Sequence, residues 1–298
     1  MIKNWLNAFR LRTLPLSLSG IIMGSCLAFD KGFIDFKIFT LALITTILFQ
    51  ILSNLANDLG DSLKGTDNSN RLGPTRAVQS GLITKNQMTI AVFIVSILSI
   101  FSAGFLVFVS KENMSQSLII GYIFLALLSV LAAILYTVSR YAYGYKGLGD
   151  IMVLIFFGIV GVLGSYTLYT KEINLSILLP SISIGTLSMA VLNLNNLRDH
   201  ENDAISKKTT LIVQMGFKNG KIYHYFLLVI SFLSLLTFSI IEQKFGILIA
   251  LLPYTALFPH IVYVSKCQQP KEIDSELKKV ALITFAVSLF CGIGLWIV

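Results

Sequence analysis

The chain has 298 residues, of which 55% are hydrophobic and only 13% charged, with a mean hydropathy of +0.79. A soluble domain is about 25% charged, so this composition excludes a disordered chain, a coiled coil and an ordinary cytosolic enzyme. It points to an all-α, polytopic membrane protein. The formal net charge of +8 reads as basic loops lying against anionic lipid. Nucleic-acid binding is excluded because no basic run with interleaved aromatic residues occurs.

A helix needs about 20 apolar residues to cross a bilayer. Nine stretches qualify, roughly 14–30, 36–56, 88–109, 117–136, 150–169, 176–195, 223–241, 246–264 and 279–297. The first is expected to be a retained helix, since no small-residue cleavage site follows it. Trp5 and Trp296 lie near the two ends, as interface anchors do. Cys26, Cys267 and Cys291 show no CxxC spacing and are expected as small buried hydrophobes.

Basic residues orient the bundle. With the N-terminus inside and the C-terminus outside, 18 of the 23 Lys and Arg fall on inside segments and 5 outside. Two inside loops are expected to be long, about 57–87 and 196–222, and a third, 137–149, is rich in Tyr and Gly. A polar cluster after the second span returns after the sixth, on the same membrane face. That echo suggests one domain of two four-helix halves, about 1–137 and 138–264, plus a final helix at 279–297.

The first cluster runs from Asn54 through Asn57, Asp58, Asp61, Lys64 and Asp67. The second runs from Asn193 through Asn195, Asn196, Arg198, Asp199 and Asn202 to Asp203. Neither is separated from its apolar run by Pro or Gly, so both should begin as the last turns of helices. Helical spacing groups Asn54, Asp58 and Asp61 on one face, and Asn196, Asp199 and Asp203 on another. Carboxylates at a helix C-terminus oppose the macrodipole and repel one another, so a cation should compensate. Hard oxygen donors of this kind suit Mg²⁺ bridging to phosphate oxygens. The metal candidates are therefore Asp58, Asp61, Asp199 and Asp203. Lys64, Arg71, Arg76, Arg140, Lys146, Arg198, Lys207 and Lys208 lie on the same side and offer partners for a diphosphate.

These residues resemble a known family. The run Asn54-x-x-Asn57-Asp58-x-x-Asp61-x-x-x-Gly65-x-Asp67 is similar to the first aspartate-rich motif of UbiA-type intramembrane prenyltransferases. Arg71-Leu-Gly73-Pro74-Thr-Arg76-Ala-Val-Gln79-Ser80-Gly81 narrows the resemblance to the 1,4-dihydroxy-2-naphthoate branch. So do Asn195-Asn196-Leu-Arg198-Asp199-x-x-x-Asp203, Lys207-Lys208-Thr209-Thr210-Leu211, Leu135-Tyr136-Thr137 and Gly144-Tyr145-Lys146-Gly147-Leu148-Gly149-Asp150. The opening Arg10-Leu-Arg12-Thr13-Leu14-Pro15 fits as well, although the branch usually has Pro where Leu11 stands. Arg140 occupies a position where the wider superfamily often has Lys.

The resemblance implies nine helices around a central cavity, with an active site facing the cytoplasm of a bacterial inner membrane. It also implies Mg²⁺, a polyprenyl diphosphate donor and a naphthoate acceptor, with no obligate protein partner. The expected reaction is prenyl transfer with loss of CO₂ and diphosphate. Aromatic faces at Tyr136, Tyr141, Tyr143 and Tyr145 could steady the allylic cation. Arg12, Gln79 and Asn57 are candidates for the acceptor, and the prenyl tail would run between helices into lipid. The alternatives are another aromatic acceptor, such as 4-hydroxybenzoate or homogentisate, and, from a different class, a carboxylate-site cation transporter.

Overall fold

A computed structural model describes residues 2–66, 72–73, 76–139 and 142–297. Among the described residues there is no strand, and nine helices are long and apolar enough to cross a membrane. A short helix α1 (Ile2–Phe9) leads into α2 (Leu14–Asp30). Then follow α3 (Phe36–Lys64), α4 (Lys85–Ser110), α5 (Gln116–Leu135), α6 (Gly149–Thr170) and α7 (Leu175–Ile205). The bundle ends with α8 (Leu211–Ile241), α9 (Phe245–Lys266) and α10 (Pro270–Ile297).

Local chemistry sets the helix ends. Asp35 caps α3 by accepting from the backbone N–H of Lys37 at 2.8 Å and Ile38 at 3.2 Å, and Gly65 ends that helix at φ 72°. Thr84 and Gln87 form a reciprocal capping box at the start of α4. Thr210 caps α8 by accepting from Val213 N–H.

The apolar windows understate three helices. α3 runs on to Lys64 and α7 to Ile205, while α8 is preceded by a helical segment that starts at Leu211 and breaks at Gly216 (φ 80°, ψ 163°). The long loop expected at 196–222 is therefore only 206–210, and the one expected at 57–87 is 65–84. Hydropathy marks the lipid-facing length. The remaining turns are helical because protein buries them: Asn196, Arg198, Asp199, Asn202 and Asp203 are all buried.

The apolar core falls into two clusters. One joins α1, α3, α4 and the loop before α4 around Leu52, Leu55 and Met88. The larger one centres on α2 and α6 to α10. α2 stands between them and packs on α3, α6 and α10. α5 packs on α3 and α4 but makes little contact with α6, which leans instead on α2 and α7. The third inside loop presses on α3 at Gly60, where Thr137 Oγ1 donates to the Ala56 carbonyl at 3.0 Å. A methyl at residue 60 would lie 2.6 Å from Thr137 Cβ. Gly60→Ala is therefore expected to cost about 1–3 kcal/mol, seen as a lowered thermal midpoint of the detergent-solubilised protein.

Candidate active site

The two acidic helix ends converge on one cavity of about 710 Å³, which runs from the motif end of the bundle into its apolar interior. On α3, Asn57 and Asp61 stand one turn apart and line it; on α7, Asn195, Asn196, Arg198, Asp199, Asn202 and Asp203 line the opposite wall. Arg10, Arg12 and Arg76 reach the same space from the N-terminal hairpin and the loop before α4.

The face expected on α3 divides. Asp58 turns away from the cavity, and its buried carboxylate accepts from the backbone N–H of Ala77 at 3.1 Å and of Val78 at 3.4 Å. Asn54 also turns away, donating to the Phe9 carbonyl at 2.9 Å and to Thr13 Oγ1 at 3.2 Å. These two side chains hold flanking backbone, while Asn57 and Asp61 face the cavity. The pairs are each spaced i, i+4, so helical periodicity alone does not choose between them.

Tyr145 locks the loops together. Its hydroxyl donates to Asp61 Oδ1 at 2.8 Å and also bonds Thr66 Oγ1. Its carbonyl accepts from Thr209 N–H at 3.0 Å and from Thr209 Oγ1 at 2.7 Å. Lys64 sits over its ring, 4.1 Å from the centroid, and does not line the cavity. Asn202 donates to the Thr66 carbonyl at 2.9 Å, which joins the two motifs directly.

The cations are distributed unevenly. Arg198 makes a two-pronged bond to Asp199, at 2.8 and 2.6 Å, and reaches Asp274 at 2.6 Å and Asn195 at 2.8 Å. Lys208 Nζ lies 3.4 Å from Asp203 Oδ1. Burial alone would lower the Lys208 pKa, but the Asp203 and Asp61 carboxylates outweigh it and push it up, so the ammonium stays charged. Lys207 is exposed at φ 57° and does not line the cavity, so of the two lysines offered for the diphosphate only Lys208 faces inward. Lys146 is exposed, and neither it nor Gln79 lines the cavity. Arg71, Arg140, Asp67 and Tyr141 lie outside the described residues.

Next to the acids the wall becomes aromatic. Tyr136 and Tyr143 line the cavity with ring centroids 5.3 Å apart and planes 68° apart. Burial pushes the Tyr136 phenol up to about 12, so it is neutral there. Beyond these rings the lining from α5 and α6 is mostly carbon, while α3 adds Thr45, Thr46, Gln50 and Ser53.

Residues 17–290 match the model of the UbiA prenyltransferase family. The chain belongs to that family. A relative from Haemophilus influenzae, named 1,4-dihydroxy-2-naphthoate octaprenyltransferase, is 39% identical and aligns over 99% of this chain and 96% of its own length. One of the same name from Escherichia coli is 39% identical over 98% and 95%. Another, from Mycobacterium tuberculosis, is 32% identical over 78% and 76%. A solved structure of digeranylgeranylglyceryl phosphate synthase shares the UbiA fold at a TM-score of 0.64, covering 100% of this chain and 99% of its own, with 18% identity.

The UbiA-type site fits a hard divalent cation in its donor chemistry. Asp61, Asp199 and Asp203 supply carboxylate oxygens, and the buried Asp203 Oδ2 and Asn202 Oδ1 have no hydrogen-bond partner. Among the described residues no three acidic, His or Cys side chains converge as a ready ligand shell. Such an ion would therefore draw further ligands from water or phosphate oxygens.

Asp58, by contrast, holds the backbone of Ala77 and Val78, next to Arg76 in the chain. Asp58→Asn is expected to weaken donor binding by roughly ten-fold, the scale of lost charge-assisted bonds to backbone, and to leave the half-saturating concentration of any divalent cation the enzyme uses unchanged. Steady-state titrations of donor and metal measure both.

Sequence reasoning placed Asn202 in the second cluster without a role and did not single out Asp274 or Lys278; all three line the site. Asp274 opens the α-helical part of α10, after the turn Pro270–Ile273, where an acid reads as ordinary helix-end charge. Only the fold brings it to Arg198.

Proposed function

We propose that the chain transfers a polyprenyl group, octaprenyl in the names of its relatives, from its diphosphate to 1,4-dihydroxy-2-naphthoate. CO₂ and diphosphate leave, and demethylmenaquinol is formed for menaquinone biosynthesis. The observation that carries this reading is that Asp61, Asp199 and Asp203 line one end of a cavity whose arm along α5 and α6 is mostly carbon. Acids and cations at one end suit a metal-bound diphosphate. A dry hydrocarbon-lined interior suits a prenyl chain.

In this reading Asp61, Asp199 and Asp203 hold Mg²⁺, with Asn57, Asn196 and Asn202 beside them. The ion, when bound, offsets charge on the departing diphosphate. Lys208, Arg76 and Arg198 add positive charge at the same end. Ionisation breaks the bond between the allylic carbon and the diphosphate oxygen. The rings of Tyr136 and Tyr143 face the resulting cation, and the apolar walls keep water from capturing it. The electron-rich naphthoate ring then forms the new carbon–carbon bond, and its carboxyl departs as CO₂. Arg10 and Arg12, which share the cavity wall with Gln50, hold the acceptor carboxylate before it is lost.

The chain is a multi-pass membrane protein. The 18-to-5 distribution of Lys and Arg supports placing the motif end in the cytoplasm of a bacterial inner membrane. The test is a product assay with purified protein, octaprenyl diphosphate and three acceptors, with Mg²⁺ or EDTA. Mg²⁺-dependent prenylation of 1,4-dihydroxy-2-naphthoate supports the reading. Preferential prenylation of 4-hydroxybenzoate or homogentisate would move the acceptor and keep the reaction class.

A further inference from the structure

The apolar arm of the cavity has a defined end. It climbs beside α5 from Tyr136 to Tyr122, 14 positions away, or about 21 Å of helix rise. Its opposite wall is the π-helical stretch Leu154–Gly164 of α6, which presents Phe156, Phe157 and Val160. π-Helical segments are rare and cluster at functional sites.

Tyr122 crosses the top of this arm. Its hydroxyl donates to the Gly164 carbonyl at 2.7 Å, bridging two helices that otherwise barely pack together. Leu106, Val107 and Leu168 close around it and are buried. Below Tyr122 a seam remains between α5 and α6, and the outer face of α5 is apolar and exposed at Phe124, Leu127 and Leu131.

Size decides what this arm must do. A cavity of about 710 Å³ lies inside the range that holds one drug-sized ligand, roughly 300–1,000 Å³. A bicyclic acceptor, a diphosphate and a short prenyl segment fill it, so a long tail has to leave sideways.

We infer that Tyr122 determines how donors are selected by length. The arm holds the first isoprene units, the Tyr122–Gly164 bond closes its far end, and the remainder of a long chain turns out through the α5–α6 seam into lipid. This rests on the prenyl-transfer reading above. A geranyl tail ends short of Tyr122, whereas an octaprenyl tail reaches it and has to turn out beneath it.

The test measures kcat and KM of full-length wild type, Tyr122→Phe and Tyr122→Ala in nanodiscs, with geranyl, geranylgeranyl and octaprenyl diphosphate. Tyr122→Phe keeps the ring and deletes only the bridging hydrogen bond. Both variants are expected to raise KM for octaprenyl diphosphate by about five- to ten-fold, the scale of one lost hydrogen bond, with geranyl diphosphate unaffected. Parallel losses with every donor, or an unchanged octaprenyl KM, would overturn the role of Tyr122 and leave prenyl transfer standing. If wild type transfers no prenyl group from any donor, the function reading itself fails.

Discussion

Asp61→Asn is expected to abolish prenyl transfer, by at least about 10²–10³-fold in kcat, without unfolding the protein. The substitution is nearly isosteric, and the amide oxygen still accepts from the Tyr145 hydroxyl that now bonds Asp61 at 2.8 Å. What disappears is the negative charge at the point where α3 faces Asp199 and Asp203 across the cavity. The thermal midpoint should therefore stay near that of wild type, while activity at saturating donor falls and added Mg²⁺ fails to restore it. Retained activity would remove Asp61 from the metal site. A collapsed midpoint would make its role structural.

Lys208→Met separates the two neighbouring lysines. Lys208 is buried beside Asp203, and Lys207 is exposed. Deleting one member of a buried ion pair costs about 3–5 kcal/mol when the other charge remains, so Lys208→Met should lower the thermal midpoint measurably. It should also cut kcat by about 10²-fold, the loss of one charged partner of the leaving group. Lys208→Arg keeps the charge and should restore most of the stability and part of the rate. Lys207→Met should behave as wild type in both measurements. Equal effects at the two positions would contradict the inward placement of Lys208.

Much of this architecture was legible in the sequence because lipid imposes a simple rule. An apolar run of about 20 residues is a spanning helix, and nine were counted where the structure has nine among the described residues. The ends of α3 and α7 were less legible. Their final turns are polar, and they are helical because neighbouring loops and helices satisfy them. Asn202 bonding the Thr66 carbonyl is one such contact. Within the site, the acidic clusters were plain, but their rotation was not. Asp58 and Asp61 differ by under a quarter turn on a helix, and only the loop amides of Ala77 and Val78 reveal which carboxylate is committed to backbone. The choice between Lys207 and Lys208 likewise depends on the left-handed conformation at Lys207, which turns the chain by one residue. Asp274 reaches Arg198 from 76 positions away, a pairing no local pattern contains.

The most direct measurement uses 1,4-dihydroxy-2-naphthoate labelled in its carboxyl carbon, with octaprenyl diphosphate, Mg²⁺ and purified protein. The account predicts labelled CO₂, diphosphate and prenylated naphthoquinol appearing in equal amounts, all suppressed by EDTA and by Asp61→Asn. Diphosphate released without labelled CO₂, or product formed equally well in EDTA, would contradict it.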